Sequence, residues 1–237
     1  MEDTKMLDYI KDVLKNMPTD WLKLTTHRLD LYDEKLAKTQ FLNELESLFD
    51  TDNSDSSALS ELPTAFDYIR LGHPLSCILE WTIARLNKIN AENVISFSSK
   101  TVPILAILRK NLLDHKHTEI FYTGELHDFF DSEVLKNVYG YQFDLTHVEN
   151  QAEIKANGDS DTQHTGSRIF ISQEENISSS DLSSRVDFFI SGYASLGSVL
   201  VVNGEQNESY ISEIQHVRRR ETIAMTPDNC LKALTFL

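Results

Sequence analysis

Apolar residues near the N-terminus recur at three- and four-residue steps. Met6, Leu7, Ile10, Val13, Leu14 and Met17 fall on one stripe, which predicts a helix over 3–17 that Pro18 ends. Thr19-Asp20 is a fair N-cap, and a second helical pattern continues intermittently to Phe49 through Leu36, Phe41, Leu42, Leu45 and Leu48. Past residue 62 the pattern changes to short apolar runs separated by helical stretches. Strands are predicted over 93–98, 119–123, 141–148, 168–172, 186–191 and 199–203. Helices are predicted over 79–86, 102–113, 132–139, 209–219 and after Pro227. Strands alternating with helices make this an α/β chain, with a mainly parallel mixed sheet flanked by helices.

Between the two patterns lies Asp50-Thr-Asp-Asn-Ser-Asp-Ser-Ser-Ala-Leu-Ser-Glu-Leu, mostly small and polar. The expected organisation is an N-terminal helical arm over 1–49, an acidic linker over 50–62 and an α/β domain over 63–237. The arm reads either as the edge of an ordinary domain or as a docking element, because an amphipathic helix outside a sheet core needs a cover. The linker reads as a flexible connector, with an acidic contact surface as the alternative. Residues 150–167, rich in Asn, Gly, Asp and Ser, read as a loop, and there is no internal repeat.

Charge narrows the functional classes. The 237 residues carry 37 Asp and Glu against 22 Lys and Arg, a net charge of −15 that disfavours sequence-independent binding to nucleic acid. Up to residue 62 there are 14 acidic and 7 basic residues, so about half of that charge sits in the first quarter. Cys77 and Cys230 have no metal-type spacing and fit a reducing compartment. No secretory signal is visible, and no apolar run approaches the length of a membrane span. The expectation is an intracellular protein, cytoplasmic or nuclear, not secreted and not in a membrane. Asn176-Ile-Ser and Asn207-Glu-Ser, which match the glycosylation pattern, then carry no weight.

Familiar catalytic signatures are missing. There is no phosphate-cradling glycine loop and no Gly-x-Ser-x-Gly elbow. His115 and His117 form the closest histidine pair, in a charged stretch that reads as a solvated turn rather than a metal site, and no metal is expected. Arg218-Arg219-Arg220 is the only basic run; it could meet a phosphate or an acidic partner, but on a helix it reads first as wet surface.

One resemblance runs through the chain from 66 to 236. Phe66-Asp-Tyr-Ile-Arg-Leu-Gly-His-Pro-Leu-Ser-Cys-Ile-Leu-Glu, leading into Ile83-Ala-Arg-Leu, resembles the Tyr-x-Arg-x-Gly-Asn-Pro…Leu-Glu…Leu-Ala-x-Leu segment of the pyridoxal-phosphate enzymes of cysteine and methionine metabolism. These are the cystathionine gamma-synthase, gamma-lyase and beta-lyase group. Five further segments are similar in the same order: Val94-Ile-Ser-Phe-Ser-Ser-Lys-Thr, Tyr139-Gly-Tyr-Gln-Phe-Asp-Leu, Arg168-Ile-Phe-Ile-Ser-Gln-Glu-Glu-Asn, Val186-Asp-Phe-Phe-Ile-Ser-Gly-Tyr-Ala and Thr226-Pro-Asp-Asn-Cys-Leu-Lys-Ala-Leu. The resemblance implies a shortened form of the large domain of the type I pyridoxal-phosphate transferase fold. It also implies a cofactor site to which Tyr68, Arg70 and Asn176 would belong as relics, although Tyr68 as packing and Arg70 as an ordinary ion pair are the plainer readings.

The departures from that family bear on chemistry. Its lysine, which would form a Schiff base with the cofactor aldehyde, aligns with Ala194, and no lysine lies between Lys155 and Lys232. Only 14 residues separate Asn176 from Ser191, too few for the strand and helix that would bring the aspartate for the pyridine nitrogen. Lys100-Thr101 replaces the Gly-Met of the phosphate turn. For the tyrosine that stacks on the ring there is no clear counterpart, His127 and Phe129 being nearest. The resemblance with these losses implies a catalytically inactive pseudoenzyme, free of cofactor, that binds protein as a scaffold or regulatory subunit in a homodimer or hetero-complex. A diverged enzyme or sensor holding a phosphorylated ligand through Tyr68, Arg70 and Lys100 is the alternative. An unrelated α/β regulatory subunit with a Rossmann-like sheet is a third.

Overall fold

The computed structural model describes residues 2–24, 34–66, 68–154, 166–173 and 182–237. Four helices come first: α1 (Glu2–Asn16), α2 (Glu34–Asp50), the short α3 (Ser56–Ser60) and α4 (Pro74–Asn87). Strand β1 (Val94–Phe97), α5 (Val102–Leu113), β2 (Thr118–Tyr122), α6 (Ser132–Asn137) and β3 (Phe143–His147) follow. The chain closes with β4 (Ser167–Ser172), β5 (Phe188–Tyr193), β6 (Gly197–Val202), α7 (Ser209–Glu221) and α8 (Pro227–Leu234).

The six strands form one sheet in the order β1-β6-β5-β4-β2-β3. β2, β3, β4 and β5 pair in parallel, while β6 runs antiparallel to both of its neighbours. This is the mainly parallel mixed α/β sheet that the pattern predicts. Helices cover both faces, so the central strands must be apolar on both sides. Phe189, Tyr193, Val199 and Val201 join one core cluster with residues of α1, α2, α4 and α8. Phe188, Ile190, Leu200 and Val202, one step out of phase, join the other with α5, α6 and α7. The near-continuous apolar runs of β5 and β6 are therefore two alternating sets, one for each face.

Helix α4 begins five residues before its predicted start, because His73 caps it. The His73 Nδ1 accepts the Ser76 N–H at 3.1 Å, and Ser76 Oγ accepts the His73 N–H at 2.9 Å, a reciprocal capping box followed by Pro74 in the first turn. Apolar periodicity cannot register such a cap. Every residue from Leu75 to Ala84 is buried, so α4 is a central helix rather than a surface one.

The N-terminal helices pack into this same core. Met6, Tyr9, Ile10 and Val13 of α1 and Phe41, Leu42, Leu45 and Phe49 of α2 share a cluster with α4 and with Cys230, Ala233 and Leu234 of α8. Residues 50–62, expected as an acidic linker, carry α3 with Leu59 buried. Tyr9 Oη donates to the Asn53 carbonyl at 3.1 Å, and Ser56 Oγ donates to the Asn16 carbonyl at 2.7 Å, which ties the segment to α1. Among the described residues no helix is long and apolar enough to cross a membrane. Of the predicted loop 150–167, residues 155–165 lie outside the described ones.

Candidate functional site

Tyr68 is half-buried in the turn that leads to α4, where its carbonyl accepts the N–H groups of Leu71 at 2.8 Å and Gly72 at 3.1 Å. Gly72 has φ +143°, and a Cβ there would lie 2.8 Å from the Phe66 ring, so the turn needs glycine on both counts. Arg70 is exposed. Its guanidinium donates to the carbonyls of Arg219 at 3.1 Å and Arg220 at 3.2 Å, which satisfies orphan carbonyls in the last turn of α7. Asn176 lies outside the described residues.

Lys100 is elsewhere. It lines a cavity of about 20 Å³ at the ends of β4 and β5, with His127, Gln173, Gly192 and Ser198 among its neighbours. Arg70 lines a separate cleft of about 400 Å³ against α7. Tyr68 and Arg70 thus share a turn, while Lys100 belongs to a different cavity. Ser99 Oγ accepts the N–H groups of Thr101 and Val102, both at 3.2 Å, so two donors at the start of α5 are already engaged. Ala194 is exposed in the tight β5–β6 turn with φ +27°. In that turn Gly197 has φ +135°, and a Cβ on it would run into the Phe97 carbonyl. β4 pairs directly with β5, with no strand between them.

Among the described residues a dense polar constellation centres on Glu80, which was not among the predicted site residues. Glu80 of α4 receives the Lys38 ammonium at 2.7 Å and the Arg218 guanidinium at 3.1 Å. It also accepts the Ser96 N–H and Oγ–H, each at 2.8 Å. Lys38 donates to the Ala91 carbonyl at 2.7 Å, and Arg218 donates to the carbonyls of Leu71 at 2.7 Å and Ser96 at 3.1 Å. All three charged side chains are buried. Burial pushes the Glu80 carboxyl up, but Lys38 and Arg218 outweigh it and hold the group below its ordinary range. Burial likewise pulls the Lys38 ammonium down, and Glu80 with Glu92 raises it above its usual value. The group is ionised throughout and ties α2, α4, β1 and α7 together. Arg218 therefore departs from the reading of 218–220 as wet surface; Arg219 and Arg220 are exposed, but the helical turn carries Arg218 to the core face. The available signal was Glu80 as the one charged residue in the run from Leu75 to Ala84.

Nearby groups are held in their neutral forms. Burial pushes His73 down to about 4, and its Nε2–H donates to the Met225 carbonyl at 2.6 Å. Burial, with Glu80 beside it, pushes the Cys77 thiol up to about 12, and burial raises Cys230 as well. Neither thiol has nucleophile character. His117 pairs with exposed Asp144 at 2.9 Å, and no group of three metal-ligating side chains occurs among the described residues.

No protein-family model matches the chain, and no curated protein matches its sequence. Among solved structures, metB from Corynebacterium glutamicum is similar at 16% identity and a TM-score of 0.45. The match covers 73% of this chain and 53% of that one, so this chain spans about half the length of that structure. A superposition that loose carries no inference about activity.

Proposed function

We propose that the chain is a catalytically inactive relative of the cystathionine gamma-synthase-like enzymes that works through protein contacts, as a scaffold or regulatory subunit in a homodimer or a hetero-complex. The observation that carries the reading is the region where the resemblance puts the cofactor. Ala194 stands at the lysine position on an exposed turn, and the adjoining cavity of about 20 Å³ has room for roughly one water. Ser99 already occupies two N–H donors of the turn that would take the phosphate, and β4 meets β5 without the strand that would bring the aspartate. Pyridoxal phosphate does not fit these residues.

Support for protein contacts comes from a surface on the α5, α6 and α7 face of the sheet. Leu113, Phe129, Val134, Val138 and Tyr139 are five of the eight exposed large apolar side chains among the described residues. Four of them line a groove of about 630 Å³ among α5, α6 and α7, and Val138 follows directly on α6. An apolar surface gathered in one place is what a protein interface requires.

The test is a titration of the purified chain with pyridoxal phosphate, followed by borohydride reduction and mapping of modified lysines. The expected outcome is an unchanged absorption spectrum and no specific adduct. A saturable adduct at one lysine would return the enzyme reading, and Lys100 is the first place to look because it lines the strand-end cavity.

A further inference from the structure

The two edges of the sheet are finished differently. At β1 the outer main-chain groups are engaged. The Ser96 N–H donates to Glu80, the Ser96 carbonyl accepts from Arg218, and the Ser98 N–H donates to the Ile223 carbonyl at 3.2 Å. At the opposite edge lies β3, paired on its inner side with β2. The Thr118 N–H donates to the Gln142 carbonyl and the Val148 N–H to the Tyr122 carbonyl, both at 3.0 Å. In a parallel ladder this register turns the main chain of Asp144 and Thr146 toward β2 and that of Phe143, Leu145 and His147 outward. The outward groups of these three residues have no hydrogen-bond partner among the described residues. β3 also holds no proline, lysine or glycine to blunt an open edge.

We propose that this edge pairs antiparallel with β3 of a second copy of the chain, about a two-fold axis at Leu145, so that two six-stranded sheets become one. In that register every outward N–H of one copy meets an outward carbonyl of the other.

The strand is self-complementary on both faces. Leu145 stands opposite Leu145 of the second copy, Phe143 opposite its His147, and Asp144 opposite its Thr146, so no like charges are directly opposed. Leu145 is only half-buried against the helix-covered core, and its counterpart on the axis completes the cover. Val138 and Tyr139, 72% and 60% exposed, lead directly into β3 and carry the exposed apolar surface up to the edge. α6 lies over the same strand, with the Lys136 ammonium 4.8 Å from the Phe143 ring centroid, so the two copies of α6 come to one face of the joined sheet. A bare extended peptide would satisfy the edge but would leave Val138 and Tyr139 in water. This inference rests on the homodimer of the scaffold reading and gives that dimer its main-chain contact.

The test is residue-resolved amide exchange on the full chain, at concentrations where light scattering gives monomer and dimer masses. The amides of Phe143, Leu145 and His147 should exchange freely in the monomer and be protected in the dimer. Those of Asp144 and Thr146, bonded within the chain's own sheet, should be protected in both. Thr146 is exposed, so its variants should keep the fold. Thr146→Asp sets carboxylates opposite each other twice and should weaken the dimer about fivefold or more, whereas Thr146→Lys, facing Asp144, should tighten it. The same charge changes at exposed Thr51, on the helical arm, control for net charge; equal shifts there would overturn the register. A dimer whose outward amides exchange as fast as in the monomer would overturn the edge pairing and leave the homodimer standing. A monomer at every concentration would remove both.

Discussion

Glu80 is the one charged side chain from Leu75 to Ala84, and the interior it sits in makes its removal costly. Glu80→Gln leaves Lys38 and Arg218 buried without a counter-charge, and a loss of about 3 to 5 kcal/mol is expected in urea unfolding at pH 7. The pH dependence has two sides. The Glu80 carboxyl is held below its ordinary 4.5, so its contribution is present above that value and is lost as pH falls through the lower folded value. Lys38 is raised above 10.5, so its contribution is present below 10.5 and is lost as pH rises through the folded value. His73 adds a separate window. Its folded pKa of about 4 lies below the ordinary 6.5, so stability is full above 6.5 and drains away as pH falls toward 4, by about 3 kcal/mol in all. His73→Asn keeps an N-cap oxygen for Ser76 but has nothing to protonate. The variant should show a flatter stability profile between pH 6.5 and 4; an unchanged slope would mean that other groups govern acid unfolding.

At the scale of elements, the informative case is α2. Its sequence shows an intermittent apolar pattern, and whether such a helix belongs to a domain or reaches out to another chain is not a local property. Leu45 is fully enclosed in the cluster that α2 shares with α4 and α8. Leu45→Ala should therefore cost about 2 to 5 kcal/mol of global stability in denaturant unfolding, with one cooperative transition. A separable arm would lose almost nothing, or would unfold in a transition of its own. Strand positions, by contrast, were legible to within a few residues, because β5 and β6 are apolar on both faces and are bounded by Gly, Asn and Ser. Pairing order was not legible: the antiparallel β6 between β1 and β5 follows from a tight turn at Ala194 to Leu196, which carries no strong turn motif.

For the whole molecule, a net charge of −15 opposes self-association, so any homodimer must bury enough apolar surface to exceed that repulsion. The groove with Phe129 and Val138 at its edge is where the scaffold reading places such a contact. Light scattering after size exclusion should give about twice 27.1 kDa, with more dimer at high salt as the like charges are screened. Phe129→Asp with Val138→Asp should return the monomer mass. A monomer at high concentration in both proteins would remove the homodimer and leave the hetero-complex as the form of the proposal.

Periodicity and composition carried the class of fold, the six strands and most helices, because those depend on which side chains must leave water within a few residues of one another. The same local information located Tyr68, Arg70 and Lys100 in suggestive segments but could not say whether they meet. Only the packing decided that Arg70 faces α7 while Lys100 faces the strand ends, that Arg218 turns inward from its exposed neighbours, and that Lys38, Glu80 and Arg218 converge across 180 residues of chain. Side chains distant in sequence come together through the geometry of the sheet and the helices laid on it, and a buried charge is stable only where that geometry supplies its partners.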